Sequence, residues 1–335
     1  MKILIIQTAF IGDVILATSL VEFIKKNIPR SKIDFLLRKG NESLLDNHPH
    51  INKTLIWDKK HGKHLNLIKM SFNARNENYD LALNIQRFAS SGIFMALCGA
   101  KIKIGFKQNP LSIFFHHRIN HMIPHFEGNS YLHEVQRNLQ LLGPVLDNFK
   151  IPKAKKLKPN IFLSPTNINN IKDLDIGEYI VLAPSSVWFT KQWDRSKWIE
   201  LTKVLSKSYK LYFIGGPDDK EFIQSIIIDS PNSHNLCGKL SLIDSAALMK
   251  NAKRVLVNDS APLHLASSVN AKTTAIFCST IPEFGYFPLS DDSKLIQLEK
   301  RLECMPCGLH GKKSCPLDHF NCAIKIDIQQ VIDTI

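Results

Sequence analysis

Mostly apolar runs recur along the first hundred residues, at 2–6, 33–37, 54–57, 81–85 and 102–106, each bounded by polar or turn-forming residues. Short runs of this kind mark strands covered on both faces, as in a parallel sheet. Between them, at 14–27, 62–75 and 90–99, the pattern predicts helices. Strand and helix in alternation predict an α/β fold with a parallel, doubly wound sheet. A further helix, over 131–142, runs into the stop signal Gly143-Pro144.

The periodicity then lapses. Pro144, Pro152, Pro159 and Pro165, with several Lys and Asn, predict a linker over 151–177 between one domain at 1–150 and another at 178–335. Beyond it the alternation resumes. Strands are expected at 179–183, 211–214, 255–257 and 274–277, and helices at 195–206, 218–228, 241–251 and from Pro262 onward. Two similar doubly wound domains would face each other across a cleft, a usual place for a ligand.

With 44% hydrophobic and 22% charged residues, the composition is that of a soluble globular protein. No apolar run approaches the ~20 residues of a membrane helix. The chain enters a strand and an acidic turn at once, unlike a signal peptide, so a cytoplasmic location is expected. The net charge of +13 is either a lysine-rich surface kept in solution or an attraction for anionic partners. Lys101, Lys103 and Lys107 lie near His116, His117 and Arg118, while Lys153, Lys155, Lys156 and Lys158 crowd the linker. No nucleic-acid module signature is present, which favours phosphates or an anionic membrane surface over nucleic acid.

Three segments carry candidate chemistry, each at the carboxyl end of an expected strand. The first, Gln7 to Asp13, ends in Gly12-Asp13, where the carboxylate can cap the next helix or project into a cleft. Its single Gly makes it neither a dinucleotide fingerprint nor a P-loop. In the second, Pro184 to Trp193, Ser185, Ser186, Thr190 and Lys191 suit phosphate oxygens. Trp188 and Trp193 either cover a sugar or base or pack inside. The third runs Asn258-Asp259-Ser260-Ala261-Pro262-Leu263-His264. Asp259 or Ser260 can cap the helix, Pro262 fits its first turn, and the free N–H groups at such a start attract a diphosphate. An ordinary capped helix with a surface His would share this pattern.

Taken together, the three segments resemble glycosyltransferase family 9, the ADP-heptose:lipopolysaccharide heptosyltransferases of Gram-negative bacteria, with the second heptosyltransferase type nearest. The resemblance implies a GT-B architecture of two Rossmann-like domains and inverting transfer of heptose from ADP-heptose to the inner core of a Kdo-lipid A type acceptor. It implies that Asp13, after Gly12, is the general base and that Lys191, in Lys191-Gln192-Trp193, meets the donor diphosphate. It also implies donor contacts from Asp259, Ser260 and His264. Ala261 stands where the family has Gly, which would strain a left-handed backbone. In this scheme no cofactor is required for catalysis, and Asp173-Leu174-Asp175 is solvated linker charge rather than a metal site. An anionic acceptor at the inner face of the inner membrane would account for the basic charge, with Arg87, Lys101, Lys103, Lys107 and His133 as candidate contacts.

Four of the seven cysteines, Cys304, Cys307, Cys315 and Cys322, fall near the end of the chain with His310 and His319 among them. The spacing admits a structural Zn²⁺ site or reduced, buried thiols, and a cytoplasmic setting disfavours disulfides. Cys98, Cys237 and Cys278 lie in apolar surroundings and are expected in the core. Two competing readings remain at this stage: a GT-B enzyme using another nucleotide sugar, as transferase or epimerase, and a non-catalytic zinc-bearing protein that binds anionic lipid.

Overall fold

The computed structural model describes residues 1–123, 131–174 and 177–335. The chain forms two units that divide between Phe162 and Leu163, inside the stretch expected as linker.

The first unit is built on six parallel strands: β1 (Lys2–Ile6), β2 (Lys32–Arg38), β3 (Ile51–Trp57), β4 (Leu81–Asn84), β5 (Ile102–Phe106) and β6 (His117–Ile119). Helices α1 (Ile11–Asn27), α2 (Lys63–Arg75) and α3 (Ala89–Leu97) connect them, and α4 (Glu134–Leu139) follows. The order is β3-β2-β1-β4-β5-β6. Leu4 and Ile6 pack with Leu36, Trp57, Ala82 and Phe94 in one core cluster, while Ile3 and Ile5 are equally buried. This is why β1 reads as unbroken apolar sequence. Where a single helix over 131–142 was expected, α4 tightens into a 3₁₀ turn at Gln140–Val145 that takes Pro144 inside it.

The second unit repeats the plan. After α5 (Pro165–Asn170) come β7 (Tyr179–Ala183), α6 (Arg195–Leu205), β8 (Lys210–Phe213), α7 (Lys220–Gln224) and β9 (Ser233–Asn235). The unit continues with α8 (Leu242–Lys250), β10 (Arg254–Asn258), α9 (Ala261–Ser268), β11 (Thr273–Ile276), β12 (Ser293–Ile296), α10 (Asn321–Ile324) and α11 (Ile328–Ile332). Its parallel order is β12-β11-β10-β7-β8-β9. Part of the expected linker is therefore ordered structure. Ser164 caps α5, and Asn167 and Asn170 both donate to Asp244 at the start of α8. Of the acidic pair in that stretch, Asp175 lies outside the described residues.

In each sheet the winding reverses between two neighbouring strands, β1 and β4 in the first and β7 and β10 in the second. At such a reversal the chain leaves the two strands in opposite directions, opening a crevice beyond their carboxyl ends. All three candidate segments follow β1, β7 or β10. Among the described residues no helix is long and apolar enough to cross a membrane.

Candidate active site

In the first unit, Gly12 is buried and Asp13 is the third residue of α1. Asp13 is not the cap: Phe10 holds that position without a side-chain hydrogen bond. Burial and the nearby charge of Glu134 raise the Asp13 carboxyl from 3.8 to about 6, against the backbone of Phe10 and the charges of Arg87 and Arg38. Glu134 is itself buried, yet His121 at 3.0 Å and Arg137 at 2.8 Å hold it below the usual carboxylate range. Glu134 therefore stays ionised and keeps Asp13 basic. Sequence reasoning missed this cluster, because His121 joins the Glu134 and Arg137 pair of α4 from thirteen residues away with no motif spacing.

The first unit also opens a pocket of about 500 Å³, lined by Thr8, Phe10, Arg38, Lys59, Lys63 and Phe88 among others. The lining comes from the end of β2, the segments that follow β1, β3 and β4, and the first turns of α2 and α3. Thr8 donates to Gln86 through its N–H (3.0 Å) and its hydroxyl (2.8 Å), tying together the loops that leave β1 and β4. The Arg38 guanidinium lies 5.2 Å from the Phe10 ring centre. The Lys59 ammonium lies 4.7 Å from that of Trp57 and donates to the Thr8 carbonyl at 2.6 Å. Burial and the charges of Arg38 and Lys63 bring Lys59 down from 10.5 to about 8. The pocket thus joins cations to aromatic faces, a lining suited to anionic sugars. The run Asp58 to His64, basic and placed just after β3, was the available sequence signal.

The basic residues first expected to meet an anionic partner separate into two groups. Arg87 follows β4 at the crevice and acts on Asp13, and Lys107 follows β5. Lys101 and Lys103 lie at the opposite, amino end of β5, bound to Asp80 and to the Ala96 carbonyl, each at 2.7 Å. His133 is fully buried and caps α4 by accepting from the Val135 N–H at 3.2 Å, so it has no face for a ligand.

In the second unit, Asn258 ends β10 and reaches across to the loop after β7. Its amide donates to the Pro184 carbonyl at 2.5 Å and accepts from the Trp193 N–H at 3.1 Å, so one buried side chain holds both ends of the Lys191 loop. Within that loop the Lys191 ammonium lies 2.7 Å from the Asp259 carboxylate, to which Thr280 also donates at 2.6 Å. Asp259 is thereby engaged sideways, and Ser260, the N-cap of α9 by backbone, makes no side-chain cap. Neither residue offers a side-chain acceptor to the start of α9, where Pro262 has no N–H and the Leu263 N–H donates to the Ser260 carbonyl at 3.0 Å. Ala261 is the first helical residue and has no positive φ, so the alanine carries none of the strain expected of a left-handed position. His264 is buried one turn on, its ring 6.3 Å from that of Tyr286.

Ser185 and Ser186 are partly exposed, and the Ser186 carbonyl accepts from Gln192 at 2.8 Å. Thr190 is buried, its hydroxyl accepting from Ser279 at 2.9 Å and from the Lys312 N–H at 2.8 Å. Trp193 does not cover a ligand. It lies in the core, edge-on to Trp198 with ring centres 5.1 Å apart.

The cysteine-bearing tail packs on this unit. Cys322 is buried, and burial together with the neighbouring thiols of Cys307, Cys315 and Cys304 pushes it up to about 12. The Cys304 sulfur lies 3.9 Å from His319. Among the described residues no three His, Cys, Asp or Glu side chains converge as ligands for a metal ion. Cys98, Cys237 and Cys278 are buried in the cores, as their surroundings suggested.

The family model of glycosyltransferase family 9 (heptosyltransferase) matches residues 69–319. The chain belongs to this family and is a glycosyltransferase. It is 28% identical to lipopolysaccharide heptosyltransferase 3 of Escherichia coli, over 81% of this chain and 82% of that protein. With lipooligosaccharide heptosyltransferase 2 of Campylobacter jejuni it is 25% identical over 100% of this chain and 98% of the relative. In fold it resembles the solved E. coli ADP-heptose lipopolysaccharide heptosyltransferase II, with a TM-score of 0.78 at 20% identity, covering 100% of this chain and 97% of the other. Its two Rossmann-like units are the GT-B architecture of the family.

Proposed function

We propose that the protein moves heptose from ADP-heptose to a hydroxyl of the lipopolysaccharide inner core with inversion. The observation that carries this reading is the pairing of Lys191 with Asp259 at the start of α9, beside the β7–β10 reversal. A long cation, held in place next to the positive end of a helix, is a receptor for a departing nucleoside diphosphate.

The acceptor side follows from the first unit. Asp13, raised to about 6, is basic enough to take a hydroxyl proton and still ionised at neutral pH. The pocket of the same unit offers Arg38, Lys59 and Lys63 to the carboxylates and phosphates of a Kdo-lipid A type core. Base and diphosphate receptor come from different units, so transfer requires both to engage the reactants together. Ser185, Ser186, Ser260 and His264 complete the donor contacts in this reading, with Gly12 in the turn that places Asp13. Lys191 and the positive end of α9 take the charge that a metal ion would otherwise neutralise. The reaction runs at the inner face of the inner membrane, to which the net charge of +13 draws the protein.

Isothermal titration with ADP and UDP, in EDTA and then with Mg²⁺, tests the donor side. Preferential ADP binding that EDTA does not weaken, followed by heptose transfer to a truncated core, is expected. Preference for UDP, or strict metal dependence, would overturn the ADP-heptose reading in favour of another nucleotide-sugar enzyme. Vesicles containing anionic lipid should bind the protein better than neutral ones at low salt, and equal binding would sink the membrane assignment.

A further inference from the structure

We propose that Gly311 and Lys312, in the cysteine-bearing tail, act as a clamp that positions Lys191 for the donor diphosphate. The inference rests on reading Lys191 as a diphosphate contact and assigns the tail a part in donor binding.

The tail meets the Lys191 loop at consecutive residues. The ring of Phe189 stacks on that of Phe320, centres 4.8 Å apart and planes 28° from parallel. The Thr190 N–H donates to the Lys312 carbonyl at 3.1 Å, and the Lys312 N–H returns a bond to the Thr190 hydroxyl at 2.8 Å. Ser279, beyond β11, joins both partners: its hydroxyl donates to Thr190 at 2.9 Å, and its carbonyl accepts from the Cys307 N–H at 2.8 Å. Two backbone regions and the tail are thus closed into one hydrogen-bonded ring around a buried hydroxyl.

Gly311 makes the approach possible. Its φ is +76°, and a Cβ there would lie 2.9 Å from the Thr190 hydroxyl, 3.0 Å from Lys191 Cγ and 3.4 Å from the Ser279 hydroxyl. The Lys191 stem is therefore confined between Gly311 and the Asp259 carboxylate that receives its ammonium. A lysine held this way has already lost most of its rotamer freedom, so the donor does not have to order it. Gly308 provides the control within the same tail. It has nearly the same left-handed φ, +78°, but no atom lies within 4 Å of where its Cβ would be. Gly308→Ala and Gly311→Ala therefore carry the same backbone strain, and only the second pushes on Lys191.

The test is ADP titration and donor and acceptor KM for the two alanine variants, with thermal melting alongside. Gly311→Ala should weaken ADP binding about tenfold to a hundredfold and raise the donor KM while leaving the acceptor KM near its original value. Gly308→Ala should keep ADP affinity within about twofold, since surface backbone strain alone does not reach the site. Equal losses in the two variants, or no loss in Gly311→Ala, would overturn the clamp. If Gly311→Ala does not fold, Thr190→Val, which removes the hydroxyl at the centre of the ring, should weaken ADP instead, and unchanged affinity there would overturn the clamp as well. Lys191→Ala separates the two levels of the argument. Retained ADP affinity in Lys191→Ala defeats the diphosphate reading itself, whereas its loss beside an unaffected Gly311→Ala defeats only the clamp. In the double variant Gly311→Ala should add nothing to Lys191→Ala, the signature of one residue acting through another.

Discussion

The Lys191 ammonium and the Thr280 hydroxyl converge on one oxygen of Asp259, at 2.7 and 2.6 Å. The only long cation in the β7 loop is therefore held by a partner before any donor arrives, and its direction is fixed by a carboxylate that is nearly buried. Such a pair costs little reorganisation when a diphosphate comes within reach.

Removing the cation should have two separable effects. Lys191→Ala forfeits a charge-assisted bond to phosphate, worth about 1.5–3 kcal/mol, so ADP affinity should drop roughly tenfold to a hundredfold by titration calorimetry. Asp259 keeps Thr280 but loses its counter-charge, so the melting temperature should fall too. Unchanged affinity together with a lower melting temperature would mean that Lys191 serves the fold alone.

Asn258 should matter to both stability and donor binding although it carries no charge. Its amide satisfies the Pro184 carbonyl and the Trp193 N–H at the two ends of the Lys191 loop. Asn258→Ala strands both groups in the interior at a cost of about 1–3 kcal/mol each. Urea denaturation should show a clear loss of stability, and ADP affinity should fall as the loop loosens. A loop that kept its ADP affinity in this variant would have to be held chiefly by the tail.

The limits of the sequence pattern follow from particular residues. Strands β1, β4, β7 and β10 sit in the middle of their sheets, are covered on both faces and therefore appear as apolar runs. The edge strands β6 (His117–Ile119), β9 (Ser233–Asn235) and β12 (Ser293–Ile296) went unpredicted, because they are short, half exposed and polar. Asp13, Lys191 and Asp259 were legible because a strand end, a turn and a helix start stand next to each other in the chain. The pocket of Arg38, Lys59 and Lys63 was legible only in its basic run after β3, since Arg38 joins it from the end of β2, and the Glu134 cluster was not legible. For Trp193 the pattern left sugar cover and packing both open, and the ring takes the second, inside the core.

If the pocket of the first unit takes the acceptor as proposed, Lys59 sets an alkaline limit. Lys59 titrates near 8, and a lysine with a lowered value loses its charge as pH rises through that value. Attraction for an anionic acceptor should be complete well below pH 8 and fade above it, so the acceptor KM should rise on the alkaline side while ADP affinity holds. Lys59→Arg, which stays charged, should remove this alkaline rise in KM. A KM that climbs equally in the arginine variant would assign the limb to another group.

The proposal that Asp13 is the base sets an acidic limit. As a base it must be ionised, so kcat/KM should increase with pH through about 6 and level off above it. Asp13→Asn should lower kcat by about 10²–10⁴ with ADP affinity unchanged, the usual range for a lost general base. Glu134→Gln gives the finer test. It removes the negative charge that opposes ionisation of Asp13 but leaves the burial in place, so the limb should move below 6 without reaching the ordinary 3.8. The same change leaves Arg137 without its 2.8 Å carboxylate partner, a loss of about 3–5 kcal/mol for a buried pair. The profile is therefore to be measured at a temperature where circular dichroism shows the variant folded. A limb that stays at 6 in folded Glu134→Gln would mean that burial alone sets the base, and a limb that moves upward would contradict the charge relationship between the two carboxylates.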